Sequence, residues 1–175
     1  MLNEWNLNLF CDFTPDGWWN QDLAILNWYS TVGNSLDFDY FIFFEYDMCA
    51  TKTIDEIYGK YTRYDASFVQ LHKVKSASYN YKYQMEESVL KWLKKHGMTP
   101  DLYRVRFCGC MLSKEVLTEL TKYRLPMTFC ERRLPSIVAG LGFSMGKLDF
   151  PMVAGIPLSE TDLKKHSNLG IFHPV

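Results

Sequence analysis

The feature that most constrains the fold is an uninterrupted apolar run, Phe-Ile-Phe-Phe at residues 41–44, that leads directly into Glu45 and Asp47. A continuous apolar run, rather than alternation, is typical of a strand covered on both faces, as in a parallel sheet with helices on either side. Predicted strands and helices alternate along the rest of the chain, with no repeat or linker between them. We therefore expect one α/β domain over residues 1–175, with helices flanking a mostly parallel sheet.

The remaining elements are predicted from turn, capping and periodicity signals. Thr53 and Glu56 have the spacing of a capping box, Ser113 is a predicted helix cap, and the last residues look irregular. Strands are predicted at residues 7–13, 66–72 and 103–112, and helices at residues 20–33, 84–97 and 132–141.

Several polar residues and one glycine follow or end these predicted strands. In open α/β sheets, ligands bind outside the carboxyl ends of the strands. The sequence therefore predicts that Asp12, Glu45, Asp47 and Gly109 lie on one rim of the sheet.

Glu45 and Asp47 form the candidate metal site. They are two positions apart, so on an extended chain both side chains point the same way. Carboxylate pairs of this kind suit Mg²⁺ or Mn²⁺, which complete their coordination with water and phosphate oxygens. The alternative is that one acid caps the next turn while the other is merely solvated.

Composition and charge exclude other classes of protein. A net charge of −1 gives no reason to expect nucleic acid as a partner. The odd number of cysteines (five) indicates reduced thiols, and the Cys-Gly-Cys at residues 108–110 lacks the second pair that a zinc site needs.

Neither a signal peptide nor a transmembrane segment is predicted, so we expect a cytoplasmic protein. Aromatic residues make up 16% of the chain, which suggests a lined cleft or an aromatic core.

Five stretches, in this order along the chain, resemble a known family. They are "WWNQDLAILNWY", "DYFIFFEYD", "CGCMLSKEVL", "FCERRLPSIVAGLGF" and "GIFHPV". Together they are similar to GT-A-type, nucleotide-sugar-dependent glycosyltransferases, whose acidic D-x-D motif takes the form E-x-D in some members. The resemblance implies a three-layer fold, in which helices flank both faces of a mixed, mostly parallel sheet. Only one predicted strand and one helix precede the acidic motif, so it implies a reduced or amino-terminally shortened member.

The resemblance also implies roles for individual residues. Glu45 and Asp47, with His173 as a third ligand, would hold the Mn²⁺ or Mg²⁺ that bridges the diphosphate of a sugar nucleotide. Glu131 would be the general base that deprotonates an acceptor hydroxyl. Substrate contacts would come from Asp12, Asn20, Asp22 and Gly109.

Each of these roles has a structural alternative. His173 can be a solvated histidine of the tail, and Glu131 can pair with Arg132, Arg133 or another neighbour. Asn20 and Asp22 fit a helix cap and a favourable first-turn charge, and Gly109 can mark a β-bulge.

Two other functions compete with the transferase. The first is a catalytically inactive relative that binds a sugar or a protein partner. The second is a metal-dependent phosphoester hydrolase, which would need more ligands than this chain offers for a two-metal site.

Overall fold

The structure of the chain is a computed structural model that describes residues 20–45, 48–74, 83–149, 152–153, Thr161, Lys164 and residues 171–174. The helices in these ranges are α1 (Gln21–Thr31), α2 (Ile54–Tyr58), α3 (Tyr83–Lys95), α4 (Lys114–Leu120) and α5 (Cys130–Gly140). The strands are β1 (Tyr40–Phe43), β2 (Cys49–Ala50), β3 (Ala66–Lys73), β4 (Tyr103–Ser113), β5 (Met145–Leu148), β6 (Met152–Val153) and β7 (Ile171–Pro174). The predicted strand at residues 7–13 lies outside the described residues.

The mixed α/β class is confirmed, but the mostly parallel sheet does not hold for the described strands. The larger sheet has the order β1-β4-β3-β5, in which β4 pairs antiparallel with both β1 and β3, and β3 pairs parallel with β5. The smaller sheet has the order β2-β7-β6, with one antiparallel and one parallel pair. The tail was predicted to be irregular, which is wrong for residues 171–174, because they form β7.

The part of the apolar run that forms β1 is covered on both faces, as predicted, whereas Phe44, the last residue of the run, is 43% exposed. Phe41 is buried in a main core built with α1, α3, α4 and α5, and Phe43 packs against that core. Ile42 packs against a second core that includes residues of α2 on the other face of the sheet. Trp28 contacts the rings of Phe41 and Phe43 edge-on, at 5.6 and 5.8 Å between centroids. Here aromatic residues fill the core rather than line a cleft.

The predicted helix caps at Thr53 and Ser113 are confirmed. Thr53 and Glu56 form a reciprocal capping box at the start of α2. The Ser113 hydroxyl accepts a hydrogen bond from the Val116 amide and begins α4 directly at the end of β4. These caps fix where the chain leaves the loops and enters the helices.

Two irregularities in the β3–β4 pair shape the sheet. Between the partners Val69–Arg106 and His72–Arg104, β3 advances three residues while β4 advances two, so β3 carries an extra residue. Gln70 lies at this bulge with φ of +52°, a conformation that non-glycine residues rarely adopt. A second bulge in β4 contains Gly109, with φ of +65°.

Candidate functional site

Glu45 lies two residues past the end of β1, close to the strand end where the sequence predicts a rim residue. Its Oε1 accepts a 2.8 Å hydrogen bond from Nε2 of Gln21, the first residue of α1. Because the Gln21 amide is neutral, this bond orients the Glu45 carboxylate without cancelling its negative charge. The side-chain amide oxygen of Gln21, Oε1, in turn accepts a 4.0 Å hydrogen bond from Sγ of Cys130, the residue before Glu131.

Cys108 links the two candidate carboxylates, Glu45 and Glu131. Burial, and then the negative charges of Glu45 and Glu131, raise the pKa of the Cys108 thiol to about 12. Both carboxylates are therefore close enough to this one position of β4 for their charges to act on it. Among the candidate residues, Glu45 and Glu131 both act electrostatically on Cys108, whereas Asn20 and Asp22 both bind Arg133.

Glu131 lies in the first turn of α5, beside the half of β4 that β1 does not pair with. Its Oε1 accepts a 3.4 Å hydrogen bond from the Phe107 amide, while Ser136, further along α5, accepts one of 2.9 Å from the Tyr103 amide. Side chains of α5 thus accept hydrogen bonds from backbone amides of β4 that no neighbouring strand pairs with at this edge. An ion pair, expected as the alternative role of Glu131, is present with Arg106 at 3.9 Å.

His173 lies in β7, which pairs antiparallel with β2 through Cys49–Phe172 and Ala50–Ile171. Continuing this register by one residue puts the backbone of His173 opposite Met48, which immediately follows Asp47 in the chain. Asp47 itself and Asp12 lie outside the described residues, as does the side chain of His173. Within the residues that are described, no group of three or more His, Cys, Asp or Glu side chains could hold a metal ion.

Asn20 and Asp22 lie in a buried polar network centred on Arg133. The side chains of Arg133 and Asp22 are fully buried and form an ion pair, with Arg133 Nε donating to Asp22 Oδ2 at 2.7 Å. Arg133 also donates to the Asn20 side chain at 3.1 Å and to the carbonyl oxygens of Pro126 and Thr128.

This network explains why the first turn of α1 carries an acid. Asn20 occupies the N-cap position, but its side chain accepts from Arg133 and makes no capping hydrogen bond. The Leu23 amide donates to Oδ1 of Asp22, and Arg133 donates to both carboxylate oxygens of Asp22. These contacts give Asn20 and Asp22 a structural role, and they do not support the predicted contacts to a nucleotide.

Gly109 is held by protein side chains, in line with its alternative role as a bulge. The Tyr58 hydroxyl donates a 2.7 Å hydrogen bond to the Gly109 carbonyl. A Cβ atom at this position would lie 2.7 Å from the Met48 methyl carbon and 2.9 Å from the Tyr58 oxygen. The close approach that a glycine permits is therefore used by Met48 and Tyr58.

Gln21, Arg104, Arg106 and Arg133 complete this region. Gln21 and Arg133 had no motif to mark them, although an arginine on the apolar side of a predicted helix signals a buried partner. Arg104 and Arg106 alternate with the buried Val105, which indicates that both arginines share the other face of β4.

A scan of the chain against protein-family models found no match, and searches of curated proteins and of solved structures found none either. Among the helices in the described part of the chain, none is long and apolar enough to cross a membrane.

Proposed function

We propose that this chain is a metal-dependent glycosyltransferase, which moves a sugar from a nucleoside-diphosphate donor to an acceptor hydroxyl. The observation that carries the proposal is the β2–β7 register, which brings the backbone of His173 beside the residue that follows Asp47. His173 is more than a hundred residues away from Glu45 and Asp47 in sequence, and the E-x-D motif alone would be a weak signal. This pairing of the strand that carries His173 with the strand that follows the E-x-D motif supports the assignment.

The chemistry of the ligands fits Mn²⁺ or Mg²⁺. Glu45 and Asp47 offer carboxylate oxygens and His173 offers an imidazole, a mixture of the oxygen and nitrogen ligands that manganese accepts. The Gln21 side-chain amide donates to Glu45 and helps to orient its carboxylate. The ion would neutralise the charge that develops on the departing diphosphate.

Glu131 takes the role of general base. In the transfer, the acceptor oxygen forms a bond to the anomeric carbon, and the bond from that carbon to the diphosphate oxygen breaks. Glu131 receives the proton of the acceptor hydroxyl, and the nucleoside diphosphate leaves. The Phe107 amide and the distant Arg106 guanidinium hold the carboxylate in place beside the end of the sheet that carries Glu45.

Calorimetry with Mn²⁺ and a panel of UDP- and GDP-sugars tests donor binding. We expect one nucleotide to bind with a heat that requires manganese, and we expect Glu45→Gln and Asp47→Asn to abolish that dependence. Asp37→Asn is the matched control, because Asp37 is an exposed acid of the loop before β1. A wild-type protein that gives no heat with any nucleotide, with or without metal, rules out the transferase and favours the inactive sugar- or protein-binding relative.

Glu131→Gln tests the base. The substitution keeps an oxygen that can accept from the Phe107 amide, so the edge of β4 stays covered. We expect release of nucleoside diphosphate to slow by at least about a hundredfold, within the range that positioned bases contribute, while donor affinity changes little. If donor affinity falls and turnover does not, Glu131 is not the base.

A further inference from the structure

A small polar cavity opens at the bulged part of the β3–β4 pair. Its volume is about 290 Å³, at the lower end of the range for small-molecule sites. We call it the β3–β4 pocket, and it is lined by Gln70, His72, Arg104, Arg106, Glu131 and Arg132. Because all six of these side chains are polar, the pocket suits a small polar ligand.

Arg104 supplies a positive charge to this pocket that no acid of the described residues neutralises. Its side chain is exposed and makes no ion pair or hydrogen bond within that part of the chain, and its cross-strand partner is His72. The other two arginines differ from it, because Arg106 pairs with Glu131 at 3.9 Å and Arg132 interacts with another group of the protein. One positive charge, that of Arg104, is therefore left over.

The side chains beside Arg104 add hydrogen-bonding capacity. Gln70 and His72 are both exposed, and neither side chain makes a hydrogen bond within the described ranges. Arg106 lies two positions from Arg104 on β4, so both guanidinium groups project from one face of the strand. Each guanidinium presents several N–H donors in a rigid fork. The pocket thus gathers donors around a single opening.

The backbone of the pocket is strained at the same place. Gln70 has φ of +52° at the bulge that sets the register of His72 against Arg104. For a residue with a side chain this conformation costs about 1 kcal/mol or more. Such strain is found preferentially where a chain is held in place for binding or catalysis.

We propose that the β3–β4 pocket binds a small hydroxy acid. The ligand's carboxylate pairs with the Arg104 guanidinium, whose fork of donors matches the two carboxylate oxygens. A ligand with one negative charge balances the positive charge that is left over, whereas a zwitterion or a neutral polyol does not. A hydroxyl of the ligand donates to Glu131, the one carboxylate among the described residues that line the pocket.

Glu131 connects this pocket to the proposed transfer. Because Glu131 lines the cavity and is the proposed base, the hydroxyl that donates to it is the acceptor hydroxyl, a step that rests on the proposed function. The acceptor is then a hydroxy acid, which Arg104 holds at the carboxylate while Glu131 takes the proton of the hydroxyl.

NMR titrations of the ¹⁵N-labelled chain, without metal or nucleotide, test the pocket by itself. Glycerate, serine and glycerol are probes of similar size, of which the first is an anion, the second a zwitterion and the third neutral. We expect millimolar glycerate to shift the amide signals of β3 and β4, serine to bind more weakly and glycerol not to bind. Serine that binds as tightly as glycerate would overturn the assignment to a hydroxy acid.

Arg104→Gln should weaken glycerate binding by about tenfold or more, the loss expected for a hydrogen bond to a charged group. Arg104→Lys, which keeps the charge but not the fork, should recover only part of the affinity. Arg63→Gln is the matched control, because Arg63 is an exposed arginine of the loop before β3 that lies over the Tyr64 ring. It removes the same charge and should leave the affinity unchanged. The spread of amide signals checks that each variant is folded.

Equal weakening in Arg63→Gln and Arg104→Gln would show that net charge, and not the pocket, attracts the anion, and would overturn the proposal. So would a wild-type chain whose β3 and β4 signals do not respond to millimolar glycerate. Because donor and metal are absent, these results are independent of the calorimetric test of the transferase.

Discussion

The buried pair of Asp22 and Arg133 allows a sharp test of what the start of α1 does. Asp22→Asn keeps the shape of the side chain but leaves the fully buried Arg133 guanidinium without its counter-ion. Removing one partner of a buried pair costs about 3–5 kcal/mol, because the other charge stays buried without compensation. With a urea m-value of about 2 kcal/mol per M, a loss of about 3 kcal/mol lowers the unfolding midpoint by about 1.5 M.

Urea unfolding followed by tryptophan fluorescence measures this shift. Asp37→Asn, the exposed control, should change the free energy of unfolding by less than about 0.5 kcal/mol. The double variant Asp22→Asn with Arg133→Met should be more stable than Asp22→Asn alone, since it removes the uncompensated charge. If the Asp22→Asn variant unfolds at the same urea concentration as the wild type but no longer binds nucleotide, the structural role is refuted. Asp22 would then be a residue of the donor site.

Three further predictions concern the bulges and the buried thiol. Gly109→Ala should lower the free energy of unfolding by at least about 2 kcal/mol, because residue 109 has a left-handed backbone conformation and a Cβ there would clash with Tyr58. Gly59→Ala is the control and should not be destabilising, because Gly59 has a helical backbone and open space around it. Equal losses of stability in the two variants would contradict the packing around Gly109. Gln70→Gly should leave stability unchanged or raise it by up to about 1 kcal/mol, whereas Gln70→Val should lower it, and the reverse order in urea unfolding would argue against the bulge. Cys108 has a pKa raised from 9.0 to about 12, so above pH 9 its thiol ionises in the unfolded chain but not in the folded one. Cys108 should therefore make the free energy of unfolding fall by about 1.4 kcal/mol per pH unit between pH 9 and 12. Cys108→Ala should remove this contribution to the slope. An unchanged slope would show that the fold does not protect the Cys108 thiol from ionisation.

Local signals in the sequence predicted the elements well, because caps and periodicity act over a few residues. The Thr53–Glu56 capping box and the Ser113 cap both form as expected. The apolar run of β1 correctly indicated cover on both faces. The same run could not reveal strand direction, because covered strands look alike whether their neighbours are parallel or antiparallel.

The features that the sequence does not reveal depend on contacts between distant residues. Asn20 and Asp22 fit the start of a helix in sequence, but in the structure their side chains accept hydrogen bonds from Arg133, which lies more than a hundred positions away. The residues of β7 look irregular until β2 pairs with them. The bulge at Gln70 leaves no sequence signal, because glutamine gives no hint of a left-handed conformation.

Anomalous scattering from a crystal soaked with Mn²⁺ and a nucleoside diphosphate would locate the metal ion and identify its ligands. The proposal predicts one manganese peak coordinated by the carboxylates of Glu45 and Asp47 and by diphosphate oxygens, with the imidazole of His173 beside it. A nucleotide that binds without a manganese peak at these carboxylates, or a peak held only by other residues, would contradict it.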